Sequence, residues 1–333
     1  MRKRRALPRH GVTGLAVLAA AILLSAPAWA TESSASVYLL GSGGPQAAVL
    51  PPVQGVFFSN TVFYYYGQIQ ADRSLIFNGN VVAGAKGTLA ADFPGVAWVP
   101  STSLLGGTFM VTGLLPVGQS WVNADAVLTG PRQNQFRASL GDTAFVVGDP
   151  ILSAALGWRL GIVHLQVADF VNIPIGQYRE GELANLAFHR WADDLSFAFT
   201  RLDPKDGWDL SAKTGFTFNG ENPATHYRTG TEWHLEAAVE KRITPAWALG
   251  VQAYQFSQVT GDSGAGAKLG PFEGRVTGMG GEAAYNFTIG KTPVTLRLHG
   301  TTEFNAHDRL QGHSIWFDLS LPLHMQLPPG ARG

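Results

Sequence analysis

The chain has 333 residues, with 24 Lys+Arg against 24 Asp+Glu, 40 glycines and no cysteine. Without cysteine there is no lipoprotein anchor, no disulfide framework and no thiolate metal site. Only 14% of the residues are charged, and no apolar run after residue 30 is long enough for a membrane-spanning helix, so strands and turns are the material of the fold.

Arg2, Lys3, Arg4, Arg5 and Arg9 precede an apolar run from Gly11 to Ser25, and Ala28-Trp29-Ala30 has the small-x-small form of a cleavage site. This order predicts a signal peptide over residues 1–30, exported by the Sec route and removed before Thr31. Its removal takes five cations and no acid, leaving 19 Lys+Arg against 24 Asp+Glu, a net of 5 negative. That balance argues against a nucleic-acid partner.

Residues 31–54 contain Gly41-Ser42-Gly43-Gly44-Pro45 and Pro51-Pro52, which break regular structure. They are expected to form an N-terminal extension, either a periplasmic tail or a plug inside a lumen.

Strands follow. The first runs over Gly55–Gly67 and ends in Tyr64-Tyr65-Tyr66. Others are expected at Phe93–Pro100, Leu104–Pro116 (with an extension to Ala126 as the alternative), Pro150–Trp158, Ile162–Pro174 and Trp191–Arg201, then at Trp208–Asn219, Thr231–Lys241 and Trp247–Ser257. Val276–Phe287, Val294–Phe304 and Ser314–Leu323 complete the set. The pattern is clearest where Trp208, Leu210, Ala212, Phe216 and Phe218 alternate with Asp209, Ser211, Lys213, Thr217 and Asn219. It returns where Trp233, Leu235, Ala237 and Val239 alternate with Glu232, His234, Glu236 and Glu240. A period of two means one apolar and one polar face per strand.

Short links at 159–161, 202–207, 242–246 and 288–293 alternate with longer ones at 68–92, 175–190, 220–230 and 259–275. Trp158, Trp208, Trp247 and Trp191 stand at strand ends, where an aromatic girdle sits. Charge clusters on the polar face, tryptophans at the rims and loops of two length classes predict an all-β, antiparallel transmembrane β-barrel of about twelve strands, with lipid outside and a polar lumen. A hairpin hidden in residues 117–149 would raise the number to fourteen. The barrel is expected to span 55–323, with a tail at 324–333. Asp169 falls on an apolar phase, which suggests a bulge or an interfacial position there.

The inward phase nominates Asp209, Lys213, Glu232, His234, Glu236, Glu240, Glu282, Arg297, His299, Glu303 and Asp318 as lumen-lining or permeant-binding residues. Mixed signs on neighbouring strands can pair into a hydrogen-bonded network that closes most of the lumen. Lys213 with Glu232 or His234, and Arg297 with Asp318, are the pairs expected first. His234 with Glu236, and His299 with Arg297, share faces, but no third ligand accompanies them and no metal motif is present. Ser211 and Ser314 are inward serines without the G-x-S-x-G elbow of a hydrolase. No catalytic residue, metal or cofactor is expected. Gly278, Gly280 and Gly281 interrupt one strand: they either allow close packing against a bulky neighbour or mark a lateral opening to the bilayer.

Several segments resemble a bacterial outer-membrane family of proteins involved in the meta-pathway of phenol degradation. They are Ile173-Pro174-Ile175-Gly176-Gln177-Tyr178, Leu183-Ala184-Asn185-Leu186, Gly207 to Lys213, Asn222 to Tyr227, Thr229 to His234 and Ala248-Leu249-Gly250-Val251. Ser36-Val37-Tyr38 and Gly43-Gly44-Pro45 add to the likeness. The chain departs from it at Ile175, where the family more often has Thr, and at Phe188-His189-Arg190, which usually reads more like Gly-Arg-Asn. The resemblance implies an outer-membrane barrel that transports hydrophobic compounds.

The expected function is therefore a channel for small hydrophobic, aromatic solutes. A barrel hydrolase acting on lipid or small esters and a purely structural barrel are the alternatives. The expected partners are the bilayer and its lipopolysaccharide, the barrel-assembly machinery during insertion, and the solutes themselves.

Overall fold

The computed structural model describes residue 32 and residues 35–69, 74–77, 80–129 and 135–326. The signal-peptide segment lies outside the described residues. In chain order the strands are β1 (Gly55–Gln68), β2 (Ser74–Phe77), β3 (Asn80–Leu104), β4 (Gly107–Leu114), β5 (Val117–Thr129) and β6 (Gln135–Val147). Then come β7 (Ile151–Leu160), β8 (Val163–Asn172), β9 (Ala192–Leu202), β10 (Trp208–Asn219), β11 (Glu221–Asn222) and β12 (Tyr227–Arg228). The last are β13 (Glu232–Arg242), β14 (Trp247–Gln258), β15 (Arg275–Ile289), β16 (Thr292–His307) and β17 (Gln311–Met325).

Twelve of these close an antiparallel barrel in the order β1, β3, β4, β7, β8, β9, β10, β13, β14, β15, β16 and β17, with β17 returning to β1. Gly55 pairs with Met325 at one end of the seam and Gln68 with Gln311 at the other. Closure leaves the ring without an edge.

The alternation expected from the sequence sets which face is which. In β13, Glu232, His234, Glu236 and Glu240 are buried, whereas Leu235 and Val239 are 39% and 40% exposed. Charged groups inside and leucines outside are the reverse of a soluble core. They are stable together only where the outer surface meets hydrocarbon. Trp208, Trp247 and Trp191 stand exposed at strand ends, and the Trp158 indole donates to the Leu105 carbonyl at the short-turn end.

The structure refines the outline in five places. Residues 80–92, expected within a loop, belong to β3, whose segment from Lys86 to Val99 pairs along β1. Pro100 does not end that strand, because register shifts between Trp98 and Ser101 and between Ser101 and Leu104 absorb its missing amide. Leu104 therefore closes β3 rather than opening the next strand. The hairpin suspected in 117–149 exists as β5–β6, but the ring stays at twelve: β5 pairs with the first half of β3, continuing the line of β4 past Pro116. Asp169 produces no bulge, since β8 keeps register with both neighbours, and the residue sits near the long-loop end of the wall. The last strand also continues to Met325, beyond the expected end at 323.

Candidate functional site

The extension is a plug. It descends inside the barrel from the long-loop end to the short-turn end, fixed at each level to the wall. Glu32 sits at the top, 3.7 Å from the Arg190 guanidinium, and it accepts from Thr225 at 2.9 Å and Asn222 at 3.3 Å. Burial raises the Glu32 carboxyl above its ordinary range, and the Arg190 charge partly offsets that. The Tyr38 ring stacks on His234 at 3.5 Å. Further down, the Gly41 and Gly43 amides donate to the two carboxylate oxygens of Glu236 at 2.8 and 2.5 Å. The Gln46 amide reaches Ser211 at 3.0 Å, and the Ala48 amide reaches Thr200 at 3.1 Å.

The glycines explain the close approach. Gly41 has φ +96, and a Cβ on Gly43 would lie 2.7 Å from a Glu236 oxygen. A side chain at Gly41 would be strained by the positive φ, and one at Gly43 would have to displace the Glu236 carboxylate from its present position.

The nominated residues all project to the inner face, yet several choose partners other than those the sequence suggests. Arg297 lies opposite Asp318 in register but pairs with Glu282 on its other neighbour β15 at 2.9 Å and, across the lumen, with Glu240 of β13 at 2.6 Å. Asp318 instead takes Thr61 at 2.5 Å and His299 at 3.3 Å, and His299 also meets Gln252. Wall curvature turns long side chains toward strands beyond their neighbours, which flat-sheet register does not convey. Lys213 pairs with neither Glu232 nor His234: it stands opposite Glu236 in register, and its Nζ lies 4.9 Å from the Tyr38 ring centroid. His234 binds Asp194 at 3.1 Å, and Asp194 also accepts from Thr217 at 2.6 Å. Glu232 accepts from Asn219 at 3.3 Å, and Asp209 accepts from Ser211 at 2.6 Å. Glu303 accepts from Tyr65, Tyr254 and the Gly312 amide.

The β15 ladder continues through Gly278, Gly280 and Gly281 on both sides. A side chain at Gly278 would run into the Tyr254 ring and one at Gly280 into the Gly300 carbonyl, while one at Gly281 would make only an ordinary contact with the Gly250 carbonyl. Close packing accounts for the first two.

What the sequence did not indicate is an apolar chamber of about 460 Å³ between the plug and the wall formed by β1, β3, β4 and β7. Phe63, Phe93, Leu114 and Ile151 line it from the wall, Leu186 from a long loop, and Tyr38 from the plug. Below it lies a polar cavity of about 220 Å³ lined by Gln252, Glu282, Arg297, His299 and Asp318. Ser42, Thr61 and Trp316 border both. The Trp316 ring, 2% exposed, packs edge-on to Phe63 at 4.5 Å and stacks on His299 at 4.8 Å. The two spaces thus follow one another along the barrel, with an indole and the plug at their boundary. A volume of this size with apolar walls suits a small organic ligand.

The serines expected of a hydrolase carry no triad. Ser211 bonds Asp209 and Thr200, and Ser314 bonds Thr301 and Trp316.

No curated protein matches the chain. Among solved structures, the COG4313 outer membrane channel from Pseudomonas putida F1 superposes with a TM-score of 0.62 at 17% identity, covering 84% of this chain and 99% of that one. The β domain of the Bordetella autotransporter BrkA gives 0.45 at 13% identity, over 80% of this chain and 98% of that one. A Pseudomonas aeruginosa FadL homologue gives 0.41 at 10%, over 89% and 98%. The first of these shares the barrel fold. The model of the family described as "Putative MetA-pathway of phenol degradation" matches residues 71–319, and the chain belongs to that family.

Proposed function

We propose that this outer-membrane barrel is a channel for small hydrophobic, aromatic compounds. The observation that carries the reading is the apolar chamber of about 460 Å³, walled by Phe63, Phe93, Leu114 and Ile151 and set beneath the long loops. An aromatic solute leaving water gains apolar contact there, at roughly 25 cal/mol per Å² of surface buried. A sugar gains little from such walls and loses hydrogen bonds to water.

The name of the similar Pseudomonas putida F1 protein, an outer membrane channel, supports the same reading. In this reading the chain leaves the cytoplasm through its Sec signal peptide and is inserted by the barrel-assembly machinery. The long loops meet lipopolysaccharide and the plug governs passage toward the polar cavity. No cofactor is required.

The test is uptake of labelled apolar aromatics and of a hydrophilic sugar, in cells with an intact lipopolysaccharide leaflet, with and without this gene. Faster aromatic entry with sugar unchanged is the expected result. A rise in both would indicate a general pore. If neither moves, transport is refuted and ester or lipid hydrolysis becomes the activity to assay.

A further inference from the structure

The chamber is apolar, but one cation on its lining has no hydrogen-bond acceptor. Lys213 projects from β10, and among the described residues no oxygen accepts a hydrogen bond from its Nζ. The ammonium group stands over the Tyr38 ring, 4.9 Å from its centroid. An ammonium group carries three donors and is strongly hydrated, so a lysine left without acceptors in such a place is an unfilled binding capacity.

Its neighbouring carboxylates are turned to other donors. Glu236, opposite it in register, accepts the Gly41 and Gly43 amides of the plug, one on each oxygen, and makes no hydrogen bond to Lys213. Asp194 is held by His234 and Thr217. These carboxylates offset the charge of Lys213 without bonding to it.

The carboxylates of the chamber itself are likewise occupied. Asp149 accepts from Asn172 and from the Gly176, Phe188 and His189 amides. Glu303 has three donors, and Glu32 has Arg190, Thr225 and Asn222. Two arginines of the same lining, Arg190 and Arg309, each retain one guanidinium nitrogen without a partner. The spare polar capacity of the charged side chains is therefore donor capacity.

We infer that the chamber takes an aromatic ring bearing a carboxylate, with Lys213 as the anchor for the acid and the apolar wall as the bed for the ring. This rests on the channel reading above and narrows it from hydrophobic compounds in general to aromatic acids. The ring lies against Phe63 and Phe93, and the carboxylate supplies the acceptor that Glu236 gives to the plug.

The test is calorimetric titration of the full barrel in detergent micelles with benzoate and with benzamide, its neutral isostere. Benzoate is expected to bind roughly tenfold or more tighter, the scale of one charge-assisted hydrogen bond. Lys213→Met should abolish the preference, and Lys213→Arg should keep it. Heat-modifiable gel migration verifies that each variant folds. Equal binding of both probes, unchanged in Lys213→Met, overturns the inference while leaving the channel reading in place. A preference that survives Lys213→Met overturns Lys213 as the anchor. Binding of neither probe overturns the inference and counts against the channel reading as well.

Discussion

The two halves of the lumen are built from the same barrel but work by different chemistry. From β9 round to β16 the inner face is charged, and its carboxylates, amides and hydroxyls bond the plug and one another. From β1 through β7 the inner face offers Phe63, Phe93, Leu114, Ile151 and Ser153, and the plug stands away from it, leaving the chamber. The difference teaches why a plugged barrel keeps room for a solute. A buried charge needs its partners, so the polar half draws the plug in and fills itself. The apolar half has no such requirement, and space against it remains open to any ring that fits.

Changes to the polar half should have the largest effect. Arg297→Met leaves Glu240 and Glu282 facing each other without a cation, at a cost of about 3–5 kcal/mol. A lower midpoint for urea unfolding in detergent micelles would register it. Next comes the plug itself. Glu236→Gln replaces a charged acceptor of two amides by a neutral one that can accept only through its carbonyl, for a loss of about 1.5–3 kcal/mol at the clamp. Single-channel conductance should rise as the plug loosens. An unchanged conductance would mean that the contacts at Ser211 and Thr200 hold the plug on their own.

The apolar half should answer in the opposite way. Ser153→Leu fills the chamber without breaking any hydrogen bond, so stability should move by about 1 kcal/mol or less while aromatic uptake falls. If uptake were unaffected, the chamber would not lie on the path. The smallest effect is expected at Gly281→Val, which lies exposed, makes only an ordinary contact with the Gly250 carbonyl and should change stability by about 0.5 kcal/mol or less. Its uptake phenotype also bears on a lateral opening in β15: a clear loss with folding intact would favour one.

The outline of the barrel was legible because alternation is a local property. In β10 and β13 every second residue is charged or polar, so face, period and strand limits could be read off directly. In β1 the limits could be read but the faces could not, because Val62, Phe63, Tyr64, Tyr65 and Tyr66 are apolar or aromatic on both phases. Phe63 turns inward beside Trp316 while Val62 and Tyr64 face out. A wall that is apolar on both faces is itself the sequence signal of a hydrophobic chamber, though it does not say where the space will be.

The sequence by itself determined that this is an outer-membrane barrel of twelve or fourteen strands with a charged inner face, and which residues that face carries; the structure decided for twelve. Period-two patterning, short turns and rim tryptophans are contained in neighbouring residues, so no distant contact is needed to read them. Only the tertiary structure decided that residues 35–54 run inside the lumen, that Arg297 reaches Glu240 rather than Asp318, and that Glu236 bonds the plug and leaves Lys213 without an acceptor. Those outcomes join positions up to 195 residues apart in the chain. They depend on wall curvature and on competition among donors for a few carboxylates, and neither is written in any local stretch of residues.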